Sequence, residues 1–375
     1  MSVRDKNSKS GTAGIMNRRH FLVALAGASL TSPAFGWTID GLPENDGELT
    51  QAPRLIVGGG ADSLPGEAAP LLSGPLAHGL TLSTPIATHF DLGRDGVTAA
   101  NLFDTAAPDT EGATAILAPG AAIVASLAGD SRVHFDYSRW VSLMVAQRPV
   151  VTLARAELRH SIRARLAGML HDHPVRIAVS QPTGVELASL LGLSLLGLHP
   201  VPVSGFATRE DALSALQSGA VDAIQLTPGP NDDLTKDIAS APGGAAPLFH
   251  FGLPVDNVPR FEDAFLSAHG RTPAGPLYNA WTALADAAGV ALALALPMLT
   301  PPLLVARWRH AAMVAITDPN LKRWCAEQHL SVSTGADSAP ILSDLTPDLT
   351  ALLALRRWIN NNTPRWRAGQ ETRPT

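Results

Sequence analysis

Short apolar runs of four to six residues, most meeting a glycine- or proline-bearing turn and then a helical pattern, recur through the first two thirds of the chain. Arg54 to Val57 runs into Gly58-Gly59-Gly60-Ala61-Asp62-Ser63, and a broken helical pattern follows over 64–80. Ala113 to Leu117 leads through the turn 118–120 to a helical pattern over 121–127, and Val175 to Val179 leads through 180–183 to another over 184–198. A helix over 210–218, closed by Gly219, precedes an apolar run over 221–226. Strands alternating with helices across short turns predict an α/β fold built on parallel sheets. Farther along, helical spacing predicts helices over 281–296, 303–316, 319–328 and 347–359, with Pro297, Pro301 and Pro302 separating the first two. Residues 361–375 are polar, follow Asn360 and contain Pro364 and Pro374, which predicts a flexible tail. There is no internal repeat of roughly 20 to 50 residues.

The N-terminal pattern is of another kind. Arg18, Arg19, Phe21 and Leu22 match the RRxFL core of twin-arginine export signals, and the apolar run Phe21 to Leu30 ends in Ala34-Phe35-Gly36. Ten residues are half of the roughly 20 needed to span a bilayer, so the segment reads as a leader over 1–36 rather than an anchor. The alternative is a buried N-terminal helix. The leader reading starts the mature chain near Trp37 in a bacterial periplasm. It leaves 339 residues, room for two domains with a core each.

Charge narrows the partners. The chain carries −5 formally, and the leader, with five cations against Asp5, accounts for +4, so the mature protein carries about −9. With no run of five cations, nucleic acid is not an expected partner. An anionic ligand would have to be drawn by backbone N–H groups and helix N-termini, not by an overall positive field. Cys325 is the only cysteine, which excludes an internal disulfide and a cysteine-rich metal site, and its helical surroundings predict a core position.

Several segments could carry chemistry. Gly58-Gly59-Gly60 leaves a strand and enters a helix, so bare backbone can approach an anion there. It lacks the third glycine of G-x-G-x-x-G and a Gly-Lys-Ser/Thr ending, and the alternative is a plain turn with Asp62 or Ser63 as N-cap. Thr183 and Glu186 form a T-x-x-E capping box at the helix after Val175–Val179. His171 and His173 flank Asp172, but a solvated loop is the better reading than a metal pair without a third ligand. No G-x-S-x-G, H-E-x-x-H or S-x-x-K element is present, so no enzyme is supported.

From about Arg54 to Ile359 the order of motifs resembles the extracytoplasmic receptors of tripartite tricarboxylate transporters, the Bug-type solute-binding proteins. Ile56 to Asp62 is similar to the family's first strand and P-G-G-x-x-D loop, and Gly93-Arg94-Asp95-Gly96 to its G-A-G-G segment. Ala107-Pro108-Asp109 with Ala113 to Leu117 is similar to A-P-D-G-Y-T-L-L, and Phe135, Asp136 and Trp140 fit F-D-x-x-x-W/F. Ala212 to Asp222 resembles A-L-x-A-L-x-x-G-x-V-D, Asn257 to Glu262 resembles D-V-P-T-F-x-E, and Leu296-Pro297 with Thr300-Pro301 resembles A-P-x-G-T-P. The chain departs from the pattern at Thr88-His89-Phe90, which replaces V-E-N, at the first loop, which lacks the prolines, and at the inserted Thr110-Glu111.

The resemblance implies a type II periplasmic-binding-protein fold, two α/β lobes with a ligand cleft and crossover hinge. Lobe one would comprise 37–155 and 275–360, and lobe two 156–274. It implies a small organic carboxylate held by backbone N–H groups, at Gly58, Gly59, Gly60, Asp62, Ser63, Ala118, Gly120 and Ala121 of lobe one. Ser180, Thr183 and Gly184 would face them from lobe two, with Thr227 at the rim. No cofactor, metal or catalytic residue is implied. The expected partners are the ligand and the membrane permease subunits of a tripartite transporter, with the receptor a monomer. The alternatives are a ligand sensor docking on a receptor kinase, and an exported hydrolase motivated by Asp62, His89, His171 and His173.

Overall fold

The computed structural model describes residues 49, 51–91, 93, 95–107, 110–155, 174–232, 234–239, 241 and 244–371. The segment expected to be a leader, 1–36, the expected start of the mature chain at Trp37, Arg94, Pro108, Asp109 and the His171-Asp172-His173 cluster lie outside the described residues.

Eleven strands are described: β1 (Arg54–Gly58), β2 (Ala87–Asp91), β3 (Thr114–Ala118), β4 (Trp140–Gln147), β5 (Pro149–Ala154), β6 (Val175–Val179), β7 (Pro200–Ser204), β8 (Ala223–Leu226), β9 (Ala246–Gly252), β10 (Val290–Pro297) and β11 (Ser331–Thr334). They form two sheets, a six-stranded one in the order β11-β4-β10-β3-β1-β2 and a five-stranded one in the order β7-β6-β8-β5-β9. Parallel pairing holds for β1 with β2 and β3, and for β6 with β7 and β8. The strands linking the sheets run against these neighbours: β10 is antiparallel to β3 and β4, and β5 to β8 and β9. Both sheets are therefore mixed rather than parallel throughout.

Two expectations fail here. Residues 281–296 are not one helix: a helix ends at Gly289 and β10 begins at Val290. Every residue of β10 is buried, with Leu292, Leu294 and Leu296 packed on one face and Ala293 and Ala295 on the other. The leucine face meets helices Leu64–Gly79 and Pro302–Ala315, and the alanine face lets Ile123 and Ala287 come close. Each buried leucine contributes roughly 1.5–3 kcal/mol, so the pairing strands and the helices on both sides settle the conformation. The polar tail is likewise a helix, Leu349–Glu371. Trp366 is 3% exposed and donates its indole N–H to Pro200 O at 3.2 Å.

The chain crosses between sheets twice. Between β4 of the first sheet and β5 of the second stands Arg148 alone, so residues 149–154, expected in lobe one, pair within the second sheet. The return runs from β9 through helices Phe261–His269 and Pro276–Gly289 to β10. Since β10 opposes both β3 and β4, β4 points the same way as β1 and β3, and Gln147 ends at the edge reached by Gly58 and Ala118. By the same logic β5 starts at the edge where β8 ends, Val151 lying opposite Leu226. Arg148 thus joins the C-terminal edges of the parallel strands of both sheets, the edges at which open α/β folds bind ligands.

Cys325 is half-buried against the cluster around helix Pro302–Ala315, and burial pushes its thiol up to about 11. Among the described residues, no helix is long and apolar enough to cross a membrane.

Candidate functional site

The first loop is built by its own hydrogen bonds. Ser63 is the N-cap of helix Leu64–Gly79: its Oγ accepts from Gly66 N–H at 3.1 Å and donates to Gly60 O at 2.6 Å, while Asp62 stays exposed. Gly59 has φ +147°, and a Cβ there would fall 2.3 Å from Ser63 Oγ, so only glycine lets the cap and the loop coexist. The amides of Ala61 and Asp62 meet no acceptor among the described residues. They lie at the positive end of a helix of 16 residues, where an anion is favoured.

Three loops converge at this edge. A Cβ on Gly58 would lie 2.8 Å from Pro119 Cδ and 3.3 Å from Gly96 Cα, and one on Gly96, at φ +73°, would lie 2.5 Å from the same Cδ. Gly96, in the G-R-D-G segment, is not among the expected site residues. Gly120 proves to be a packing glycine: its Cβ would fall 2.1 Å from Ala287 O and 2.5 Å from Val290 O, against the return crossover. Ala118 is wholly buried and Ala121 partly so.

The second sheet's loop departs from the expectation. The Thr183–Glu186 capping box does not form, because the helix begins at Leu187 and Glu186, already in helical conformation, folds its carboxyl back. Ser180 Oγ donates to Glu186 Oε2 at 3.1 Å, and a Cβ on Gly184 would lie 2.7 Å from that oxygen. Burial pushes the Glu186 carboxyl above its usual range, opposed by hydrogen bonds from its own N–H, the Ser180 hydroxyl and the Ser180 N–H. Donors expected to face a ligand thus face a side chain of the same loop. Thr227, directly after β8, is partly buried.

Arg148 sits between the two sheets. Its N–H donates to Gly289 O at 2.9 Å, which ties one crossover to the other. Its side chain is partly buried, its Nε is enclosed with no hydrogen-bond partner, and no carboxylate pairs with it among the described residues. Burial alone pushes the pKa of this guanidinium down. Sequence reasoning missed it, though it is the one charged residue in the apolar stretch 140–154.

Of the remaining candidates, His171 and His173 lie outside the described residues. His89 is exposed on edge strand β2, and no cluster of three metal-ligating side chains occurs among the described residues.

No protein-family model matches the chain, and no curated protein sequence does. Solved structures do match. One is MatC from Rhodopseudomonas palustris with bound malate, 19% identical over 85% of this chain and 98% of that one, with a TM-score of 0.50. Another is a TctC solute binding protein from Polaromonas, 14% identical over 82% of this chain and 98% of that one, with a TM-score of 0.57. The fold is that of the two-lobed periplasmic binding proteins. Here the six-stranded and the five-stranded sheet meet at Arg148 through their C-terminal edges.

Proposed function

We propose that this chain is a divergent receptor of the tripartite tricarboxylate transporter type, exported through its twin-arginine leader. It captures a small organic carboxylate between its lobes and presents it to membrane permease subunits. The observation that carries the reading is the Gly58–Ser63 loop: the amides of Ala61 and Asp62, without an acceptor among the described residues, at a capped helix start on the C-terminal edge of the sheet. A carboxylate accepts from such amides without a basic side chain, and the helix end adds a favourable field. The fold shared with a malate-bound protein and with a TctC solute binding protein supports the same ligand class. Binding alone accounts for the site, and no catalytic step is assigned to it.

The test is a thermal melt of the mature protein, from Trp37 onward, against mono-, di- and tricarboxylates, amino acids, sugars and divalent cations. A carboxylate at a hundredfold excess over its dissociation constant adds about 2.7 kcal/mol and raises the melting temperature. A shift with a sugar or a cation and none with any carboxylate overturns the proposal.

A further inference from the structure

We infer that Arg148 is an anion contact of the cleft, receiving one end of a ligand that carries negative charge at both ends, its other end resting on the Gly58–Ser63 loop. The inference rests on the proposed function and adds to it a specificity-determining side chain. Three observations carry it. Arg148 stands where the C-terminal edges of both sheets meet, the edges at which open α/β folds bind ligands. Its Nε is enclosed without an acceptor, and no carboxylate among the described residues neutralises it. Arg132 pairs with Asp95 and Asp130, Arg176 with Asp222, and Arg209 with Asp232; Arg309 shares with Arg148 an enclosed, unpartnered Nε but does not stand where the two sheet edges meet. A desolvated guanidinium with open donors is unfavourable in the empty protein and is relieved by an arriving oxyanion, which its planar fork can hold through two hydrogen bonds.

The third observation is the state of the second lobe. There the Ser180 hydroxyl and the Ser180 amide bond the Glu186 carboxyl, which lies against Gly184. That loop is filled in either protonation state of Glu186, and when ionised it repels a further carboxylate. A ligand with two anionic ends therefore finds one receptor in the amides of the first lobe and the other in Arg148.

The test is calorimetric titration of the mature protein with succinate, glutarate and adipate, each paired with the monoacid of equal carbon number: butanoate, pentanoate and hexanoate. The expected result is that at least one diacid binds ~10–100-fold more tightly than its monoacid, the range of a charge-assisted hydrogen bond. In Arg148→Met that diacid loses its advantage while the monoacid keeps its affinity, and Arg148→Lys retains part of the preference because its charge remains. A wild-type protein that binds monoacids as tightly as diacids overturns the inference and leaves the proposed function standing. So does an Arg148→Met variant with undiminished diacid affinity. Parallel loss of affinity for diacid and monoacid together with a lowered melting temperature assigns Arg148 a structural role instead, and also overturns it. Should Arg148→Met not fold, the wild-type ratio and Arg148→Lys decide. If wild type binds no carboxylate at all, the proposed function itself falls.

Discussion

Asp286, in the helix that leads into the return crossover, should destabilise the folded protein at neutral pH. Burial is the first cause, and repulsion from Asp344 and Glu262 adds to it, so its carboxyl is pushed from the usual 3.8 up to about 6. A folded-state pKa above the unfolded value means that the folded protein binds the proton more tightly. Stability is then fully present below the unfolded value and falls as pH rises through the folded one. At 1.36 kcal/mol per pH unit, the loss between about pH 4 and pH 7 amounts to at most about 3 kcal/mol. Asp286→Asn keeps the shape and removes the titration. Urea unfolding of the mature protein at pH 4.5, 6 and 7.5 should show the variant more stable at pH 7.5, with the advantage shrinking towards zero at pH 4.5. A difference that stays constant across this range, or a variant less stable at pH 7.5, refutes the reasoning.

Gly59→Val should cost about 2–5 kcal/mol as well as ligand binding, since it combines an unfavourable φ with a clash against Ser63 Oγ; an unchanged urea midpoint would count against this loop geometry. Ser63→Ala removes a real cap and should cost about 1 kcal/mol, whereas Thr183→Ala, which removes none, should stay within about 0.5 kcal/mol. The reverse ranking in denaturation would restore the T-x-x-E box. Trp366→Ala leaves a void beside β7 and deletes a hydrogen bond, with an expected loss of about 3–5 kcal/mol, and a melt matching wild type would return the segment to a loose tail.

Where polarity alternates with structure, the sequence was readable. The strand at Val175–Val179 and helices near 64–79, 302–315 and 319–327 follow from apolar spacing and flanking Gly, Pro or Ser. β10 was not legible by that rule because V-A-L-A-L-A-L-P alternates in size, not polarity, and an all-apolar run of this length reads equally as a buried helix. The last helix was hidden by polar composition. Yet Ala351, Leu355, Ile359 and Trp366, all buried, are spaced four, four and seven apart, one continuous helical face. The capping box failed because a T-x-x-E pattern states what two side chains can do locally, and Ser180, outside the pattern, offered Glu186 other donors. Arg148 carried no motif at all. Its significance comes from the topology, since only the direction of β4 and β5 brings it to both sheet edges.

The same topology divides the work of the proposed cleft. The two crossovers touch through main chain: Gly252, at φ +71°, would put a Cβ 2.7 Å from Arg148 O and 3.5 Å from Gly289 Cα, and Arg148 N–H donates to Gly289 O. In the proposed receptor this meeting point is the pivot common to both lobes. A ligand can shift an open–closed equilibrium only by the difference between its affinities for the two states. A contact at the pivot changes little as the lobes swing, so in the proposed receptor it contributes to affinity and ligand choice but hardly to closure. In that proposal the closing free energy has to come from contacts away from the pivot, between the Gly58–Ser63 loop and the proposed rim of Ser180–Gly184 and Thr227. With Glu186 already holding the Ser180 donors, that rim offers a ligand acceptors more readily than donors. Closure then depends on whether the ligand, besides its anionic ends, carries a hydrogen to give.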